Sequence, residues 1–528
     1  MSAGFDCVLG NPPWERIKLQ EKEFFGGKDE SIANARNKAE RTKLIKKLAQ
    51  TNPNLLQQFE DEKHFAEAQS KFIRESGRFP LTAKGDINTY AIFAETVREI
   101  INHNGRCGVI VPTGIATDNT TKDFFGDLIK KQSLASLYDF ENREKLFSAV
   151  DSRMKFSLLV MTNNSIKSTN FAFFLTQVKH LENKQRVFNL APEDIALINP
   201  NTLTCPVFRT RQDADLTKKI YQRIPVLENE ITGENPWGIS FMSMFHMSND
   251  SHLFIDEKGD NLLPLYEAKM FHHFDHRWAS YEEKGVGNRE SGVECNDVSL
   301  DDKNNPDFFV TPRYWVDKKE VENRLSDKWN KQWLLGFRGI TNSTNERTMI
   351  CSILPKVALG NSAPVIILQQ NKANLVACLV ANFSSLVFDF VTRQKVGGTN
   401  FNFFILKQLP IIPPENYSQE DIEYISSRVL ELVYTANDLK PFAEDMGYEG
   451  KPFIWDEQRR AILRAELDAK YAKLYGLNRD ELRYILDPTD IYGDDFPSET
   501  FRVLKNNEMR KYGEYRTQRL VLAAWDMM

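Results

Sequence analysis

The stretch Phe5-Asp-Cys-Val-Leu-Gly-Asn-Pro-Pro-Trp14 constrains this chain more than any other. Two consecutive prolines cannot continue a strand ladder or enter a helix interior. The residue before a proline is pushed to an extended conformation. Residues 6–9 therefore read as a short buried strand, and residues 11–14 as a rigid loop at its carboxyl end. Open α/β sheets bind ligands beyond the carboxyl ends of their strands. An amide and an indole displayed there on a stiff backbone make Asn11, Pro12, Pro13 and Trp14 the first candidate site.

The chain downstream extends this reading. Residues 28–76 are charged and helical in pattern. Residues 88–101 form an amphipathic helix, broken by Asn102-His-Asn-Gly-Arg106. Residues 107–112 read as a second buried strand, 121–131 as a helix, 134–140 as a third strand and 156–161 as a fourth. This alternation predicts a doubly wound α/β sheet with the carboxyl ends of its parallel strands on one edge. After about residue 165 the rhythm changes. Residues 170–175 are strand-like and 212–224 helical, whereas 235–345 mix aromatics with Arg, His and Asn, as suits an irregular recognition domain. A strand at 363–368 and a helix at 371–390 follow. Pro410 to Pro414 looks like a boundary, beyond which 418–485 form amphipathic helices. The expected domains are 1–165, 166–414 and 415–528.

With a net charge of −5, nothing in the bulk composition signals nucleic acid, so any such contact needs a local basic face. One candidate is the loop carrying Arg393, Lys395, Gly397, Gly398, Thr399 and Asn400, where glycines allow close backbone approach to phosphates. A second is the helical run with Arg36, Lys38, Arg41, Lys43, Lys46 and Lys47, for which a solvated helix face is the simpler expectation. Six scattered cysteines form no CxxC or Cys/His cluster, which argues against zinc and for a reducing, cytoplasmic setting. His272, His273, Asp275 and His276 fit no standard metal spacing, and no metal is expected. No secretory signal is visible. The apolar run 373–388 contains Asn374, Asn382 and two serines, and reads as a buried core helix rather than a membrane span.

Asn-Pro-Pro-aromatic after a strand ending Asp-x-Val-x-Gly is similar to motif IV of the amino-methyltransferases. Asp86-Ile-Asn-Thr-Tyr-Ala-Ile-Phe-Ala-Glu95, Gly108-Val-Ile-Val-Pro-Thr113, Tyr138-Asp-Phe-Glu-Asn-Arg143 and Ser152-Arg-Met-Lys-Phe-Ser-Leu-Leu159 resemble the later motifs of the gamma-class N6-adenine DNA methyltransferases. The likeness is greatest to large restriction-modification and phage-defence enzymes, of the DISARM or BREX kind. Gly-Gly-Thr-Asn400 followed by Phe403-Phe-Ile-Leu-Lys-Gln-Leu-Pro410 looks like the end of their target-recognition domain, and the resemblance extends over essentially the whole chain. It implies methylation of adenine's exocyclic amine in double-stranded DNA, with S-adenosylmethionine as donor. Asn11 Oδ1 and the Pro12 carbonyl would accept hydrogen bonds from the amine, and Trp14 would stack on the extruded base, with Phe156 as the second face.

The family's glycine-rich donor loop has no counterpart here. No Phe-x-Gly-x-Gly occurs, and only ten residues precede Asn11. Without a preceding strand, residues 6–9 would form an exposed apolar edge. The expected fold is thus the C-terminal part of a Rossmann-like methyltransferase sheet, then a mixed α/β target-recognition domain, then a helical region. A truncated or split enzyme is the favoured expectation, with a separate chain carrying the cofactor half and other defence proteins as partners. The alternatives are a non-enzymatic DNA-specificity subunit, a protein-glutamine methyltransferase and a cytosine amino-methyltransferase.

Overall fold

In the computed structural model, β1 (Phe5–Gly10), β3 (Leu134–Glu141) and β4 (Lys155–Thr162) fall on the apolar runs expected as strands, while β2 (Ile101–Val111) begins six residues before the strand expected at 107–112. Together with β5 (Thr169–Leu175) and β6 (Phe188–Leu190) they form one sheet in the order β1-β2-β4-β3-β5-β6. The structure describes residues 4–35, 38–281, 295–498 and 500–528, which leaves Arg36 outside the described residues. The chain divides into two compact units, Met1–Ala214 and Asp215–Met528.

The sheet is mixed, where strand–helix alternation predicts parallel strands throughout. β4 runs antiparallel between β2 and β3, and β6 runs antiparallel to β5. The reason is the β3–β4 connection. Residues 142–154 contain only the 3-10 turn Asn142–Glu144, and a parallel crossover ordinarily needs a helix. β1, β2, β3 and β5 still share one direction, so their carboxyl ends meet along one edge, where β4 begins.

Among the described residues β1 pairs only with β2 and forms the end of the sheet. Phe5 is 61% and Leu9 79% exposed, leaving apolar side chains on an unpaired edge. The helix Thr89–Ile100 is capped by Asn88, whose side chain accepts from the Tyr90 amide. It passes directly into β2 at Ile101, so residues 102–106 do not form the expected break. They bulge within the β1–β2 pairing, which steps from Phe5↔Ile101 to Cys7↔Arg106. Gly105 is needed there, because a Cβ would lie 2.6 Å from the Phe5 carbonyl oxygen.

In the second unit, Ile239–Met242, Trp333–Phe337, Cys351–Pro355 and Val365–Leu368 form a four-stranded antiparallel sheet. The helix expected at 371–390 is two helices, Ala373–Ser384 and Leu386–Arg393, bent by 52°. Ser385 breaks the run and caps the second helix, its side chain accepting from the Phe388 amide. Every described residue of Leu386–Arg393 is buried. No single helix among the described residues is long and apolar enough to cross a membrane. The C-terminal region is helical, including Gln419–Val433, Glu457–Leu474, Arg479–Leu486 and Arg516–Met527. Asp456 caps Glu457–Leu474 by accepting from the Gln458 and Arg459 amides.

Candidate active site

β1 leaves the sheet at Gly10, paired with Val109. The next residues form the proline loop, and each tie on it has a definite partner. The Trp14 indole N–H donates to the Ile110 carbonyl at 3.3 Å, taking an acceptor one residue beyond the last β1–β2 pair. The Thr89 hydroxyl donates to the Pro13 carbonyl at 2.7 Å, and the Glu15 amide donates to that hydroxyl at 2.9 Å. The Thr89 amide donates back to the Glu15 carbonyl, and the Ile17 amide to the Ile87 carbonyl. The start of a helix thus clamps the loop, a contact spanning about seventy residues that nothing local in the sequence announces.

What remains free is as informative. Asn11 is exposed. Among the described residues, neither its side-chain amide nor the Pro12 carbonyl takes a hydrogen bond. Two acceptors on adjacent residues of a proline-stiffened backbone are therefore unengaged, with Asn11 exposed and Pro12 half-buried. Trp14 is half-buried and packs against the cluster of Phe140, Phe156, Ala172 and Leu175.

Phe156 lies inside that cluster. It is 5% exposed, stacks on Phe140 with centroids 5.4 Å apart and meets the Phe147 ring edge-on at 5.1 Å. One ring face is covered, so Phe156 supports the floor beneath Trp14 rather than offering an open surface.

The next strand end carries a buried carboxylate. Asp139 accepts from the Thr113 hydroxyl and from the Phe174 amide at 3.2 Å. The Ser157 hydroxyl reaches Thr113 at 3.4 Å. Burial pushes the Asp139 carboxyl up to about 6, against the opposing effects of the Thr113 hydroxyl and Lys155. This network links the ends of β2 and β3, the start of β4 and the end of β5.

The loop after Arg393 lies in the second unit. Arg393 and Lys395 are not surface cations. The Arg393 guanidinium donates to the carbonyls of Ser343, Asn345, Glu346 and Thr500 at 2.8–2.9 Å and pairs with Asp389 at 3.2 Å. Lys395 is buried, donates to the Gln408 carbonyl and sits 4.8 Å over the Tyr221 ring. Desolvation holds its ammonium well below the usual range. Gly398, Thr399 and Asn400 are exposed, with Gly397 at the rim. The Thr399 carbonyl accepts from the Thr341 amide. In the helix Lys38–Thr51, Arg41 is likewise buried and donates to the Ile32 and Ala35 carbonyls. Lys38, Lys43, Lys46 and Lys47 are exposed.

Residues 1–147 match the family described as Eco57I restriction-modification methylase. The match covers β1, the proline loop, Thr89, β2 and β3. No curated protein sequence matches the chain. Among solved structures, the chain is similar to the type IIG restriction endonuclease BpuSI at 13% identity, covering 93% of this chain and 55% of that one, with a TM-score of 0.28. It is similar to the type IIL restriction-modification enzyme MmeI in complex with DNA at 8% identity, covering 78% and 52%, with a TM-score of 0.40. A nuclease-deletion mutant of the type ISP enzyme LlaGI, with a DNA substrate mimic, matches at 12% identity, covering 85% and 36%, with a TM-score of 0.39. The chain spans about half the length, or less, of the solved structures it matches.

Proposed function

We propose that this chain handles the target base in an S-adenosylmethionine-dependent DNA methyltransferase of a restriction-modification system, methylating the exocyclic amine of adenine in duplex DNA. The observation that carries the reading is the pair of unengaged acceptors, Asn11 Oδ1 and the Pro12 carbonyl, on a loop held by the Pro13 carbonyl, the Trp14 indole and the Glu15 backbone. Adenine's amine is a poor nucleophile because its lone pair is delocalised into the ring. Accepting hydrogen bonds from both N–H groups favours a more tetrahedral nitrogen with its lone pair directed away from the ring. Because the prolines and Thr89 hold the acceptors in place, little reorganisation accompanies reaction. Fixing the nucleophile in line supplies about 7–11 kcal/mol in favourable cases. Trp14 stacks on the extruded base, worth about 1–3 kcal/mol, while Phe140 and Phe156 support the indole from below.

S-adenosylmethionine supplies the methyl group in such enzymes. The residues present do not form its site on their own. The shared sheet edge turns into 11–14, 112–114 and 142–144, and the sequence has no Phe-x-Gly-x-Gly. A glycine-rich α/β segment outside this sequence would meet this chain along the open edge of β1, where Phe5 and Leu9 are exposed. In the second unit, the exposed residues Gly398, Thr399 and Asn400 are the part of the predicted DNA-contacting loop free to meet a phosphate, with Arg393 and Lys395 fixing its base.

Expression of the native locus in a host lacking adenine methylation tests the reading. Base-resolution mapping is expected to find N6-methyladenine at one recurring site, absent with Asn11→Ala. Modified cytosine, or unmodified DNA with a methylated protein instead, would contradict it.

A further inference from the structure

The second unit contains a cleft of about 280 Å³, continuous through shared lining residues with a smaller cavity of about 80 Å³. Both are lined by His273, Arg464 and Arg516, which come from three separate elements. His273 sits on a tight turn in which the His272 and Asp275 backbones bond to each other and Phe274 takes a left-handed φ of 55°. Arg464 lies on the helix Glu457–Leu474, and Arg516 begins the helix Arg516–Met527.

These three groups have unused hydrogen-bonding capacity. His273 is 5% exposed, and neither ring nitrogen has a partner among the described residues. Burial, with Arg347 nearby, holds this imidazole well below its usual range, so it is neutral with one N–H to donate. The buried Arg516 Nε–H also lacks a partner. Arg464 lines the cleft as an exposed side chain and makes no hydrogen bond or ion pair among the described residues. Buried polar groups are ordinarily satisfied, so the His273 nitrogens and the Arg516 Nε–H call for a partner.

The acidic groups of the cleft, by contrast, are engaged. Glu508 accepts from both the amide and the hydroxyl of Thr517, Glu346 from Asn507, Asp275 from Lys303, and Glu457 from Lys511. We propose that this cleft binds a phosphoryl group, of free phosphate or of a small nucleotide, through Arg464, Arg516 and His273. One guanidinium saturates a planar carboxylate, whereas donors converging from three elements suit a tetrahedral oxyanion. The aromatic faces in the cleft do not form a base platform. Trp455 carries Arg460 at 3.6 Å and Lys303 at 4.1 Å, and Tyr512 carries Arg516 at 3.9 Å. Recognition therefore centres on the phosphoryl group.

Calorimetry and thermal unfolding of the full chain, titrated with inorganic phosphate, ADP or acetate, test the site. Phosphate and ADP are expected to bind and raise Tm, and acetate is not. Affinities for the two within tenfold identify free phosphate as the ligand, and a larger preference for ADP identifies a nucleotide. Losing a charge-assisted bond in Arg464→Gln weakens binding by about 10–100-fold, and His273→Phe weakens it too, while the surface control Arg479→Gln does not. In phosphate-free buffer Arg464→Gln keeps or raises Tm, since the side chain has no internal partner to lose. Absence of binding, equal binding of acetate, or a phosphate-induced Tm rise that survives Arg464→Gln overturns the proposal. So does a weakening of duplex DNA binding by Arg464→Gln with phosphate binding unchanged.

Discussion

The Thr89 hydroxyl donates to the Pro13 carbonyl at 2.7 Å and so joins the start of a helix to the loop that carries the candidate chemistry. The same oxygen accepts from the Glu15 amide, which leaves the loop little freedom between residues 13 and 15. Thr89→Val keeps the shape and removes both bonds. Such misplacement is expected to lower methyl transfer by about 10–100-fold. It should cost only about 1–2 kcal/mol of stability. Steady-state kinetics alongside urea unfolding check this; unchanged kcat would mean the clamp is structural alone.

Trp14→Ala removes a stacking surface and the bond to Ile110. Affinity for duplex carrying a mismatched target adenine is expected to fall by about 1–3 kcal/mol. Trp14→Phe keeps most of that affinity. Fluorescence anisotropy on matched and mismatched duplexes reads the difference, and equal binding by all three proteins contradicts the stacking role.

Arg393 and the exposed loop beyond it should behave differently. Arg393→Met leaves Asp389 less compensated and four carbonyls without their donor, and is expected to cost about 3–5 kcal/mol of stability. Thr399→Ala and Asn400→Ala, at exposed positions, should leave Tm unchanged and weaken DNA binding. Denaturation curves and binding isotherms on the same preparations separate the two. If Arg393→Met is fully stable and only DNA binding falls, the burial account fails.

Asp139 gives the fold a pH dependence. Its folded carboxyl titrates near 6 against an ordinary value of 3.8. The folded state holds the proton more tightly, so the contribution is full below about pH 4 and is lost as pH rises through about 6. Its size is on the order of 3 kcal/mol. Unfolding free energies measured from pH 4 to 7 should fall less steeply in Asp139→Asn; parallel curves would show that Asp139 carries no such shift.

Much of the first unit is legible in the residues. Apolar runs bounded by Pro and Gly mark β1 to β4, and the prolines mark the loop. Strand direction is not legible, because it depends on what the 142–154 connection fails to contain. The burial of Arg393 and Lys395 is hidden for a related reason. Their acceptors come from residues 343–346, 408 and 500, so only tertiary structure turns a basic-looking loop into an internal scaffold. Arg41 follows the same logic on a shorter scale. Phe156 is placed by strand register, since β4 turns it toward Phe140 rather than the open edge. Thr89 stands in a quoted motif, yet its partner lies about seventy residues upstream and no local pattern points there.

In the proposed function, Asn11 and Pro12 engage the amine of an extruded adenine. Transfer of a labelled methyl group from S-adenosylmethionine to duplex DNA, by the protein in its native assembly, tests it most directly. Label is expected on adenine N6, with Asn11→Ala lowering kcat by about 100-fold or more and leaving DNA affinity within about threefold. Label on another base, or full-rate transfer by Asn11→Ala, would contradict it.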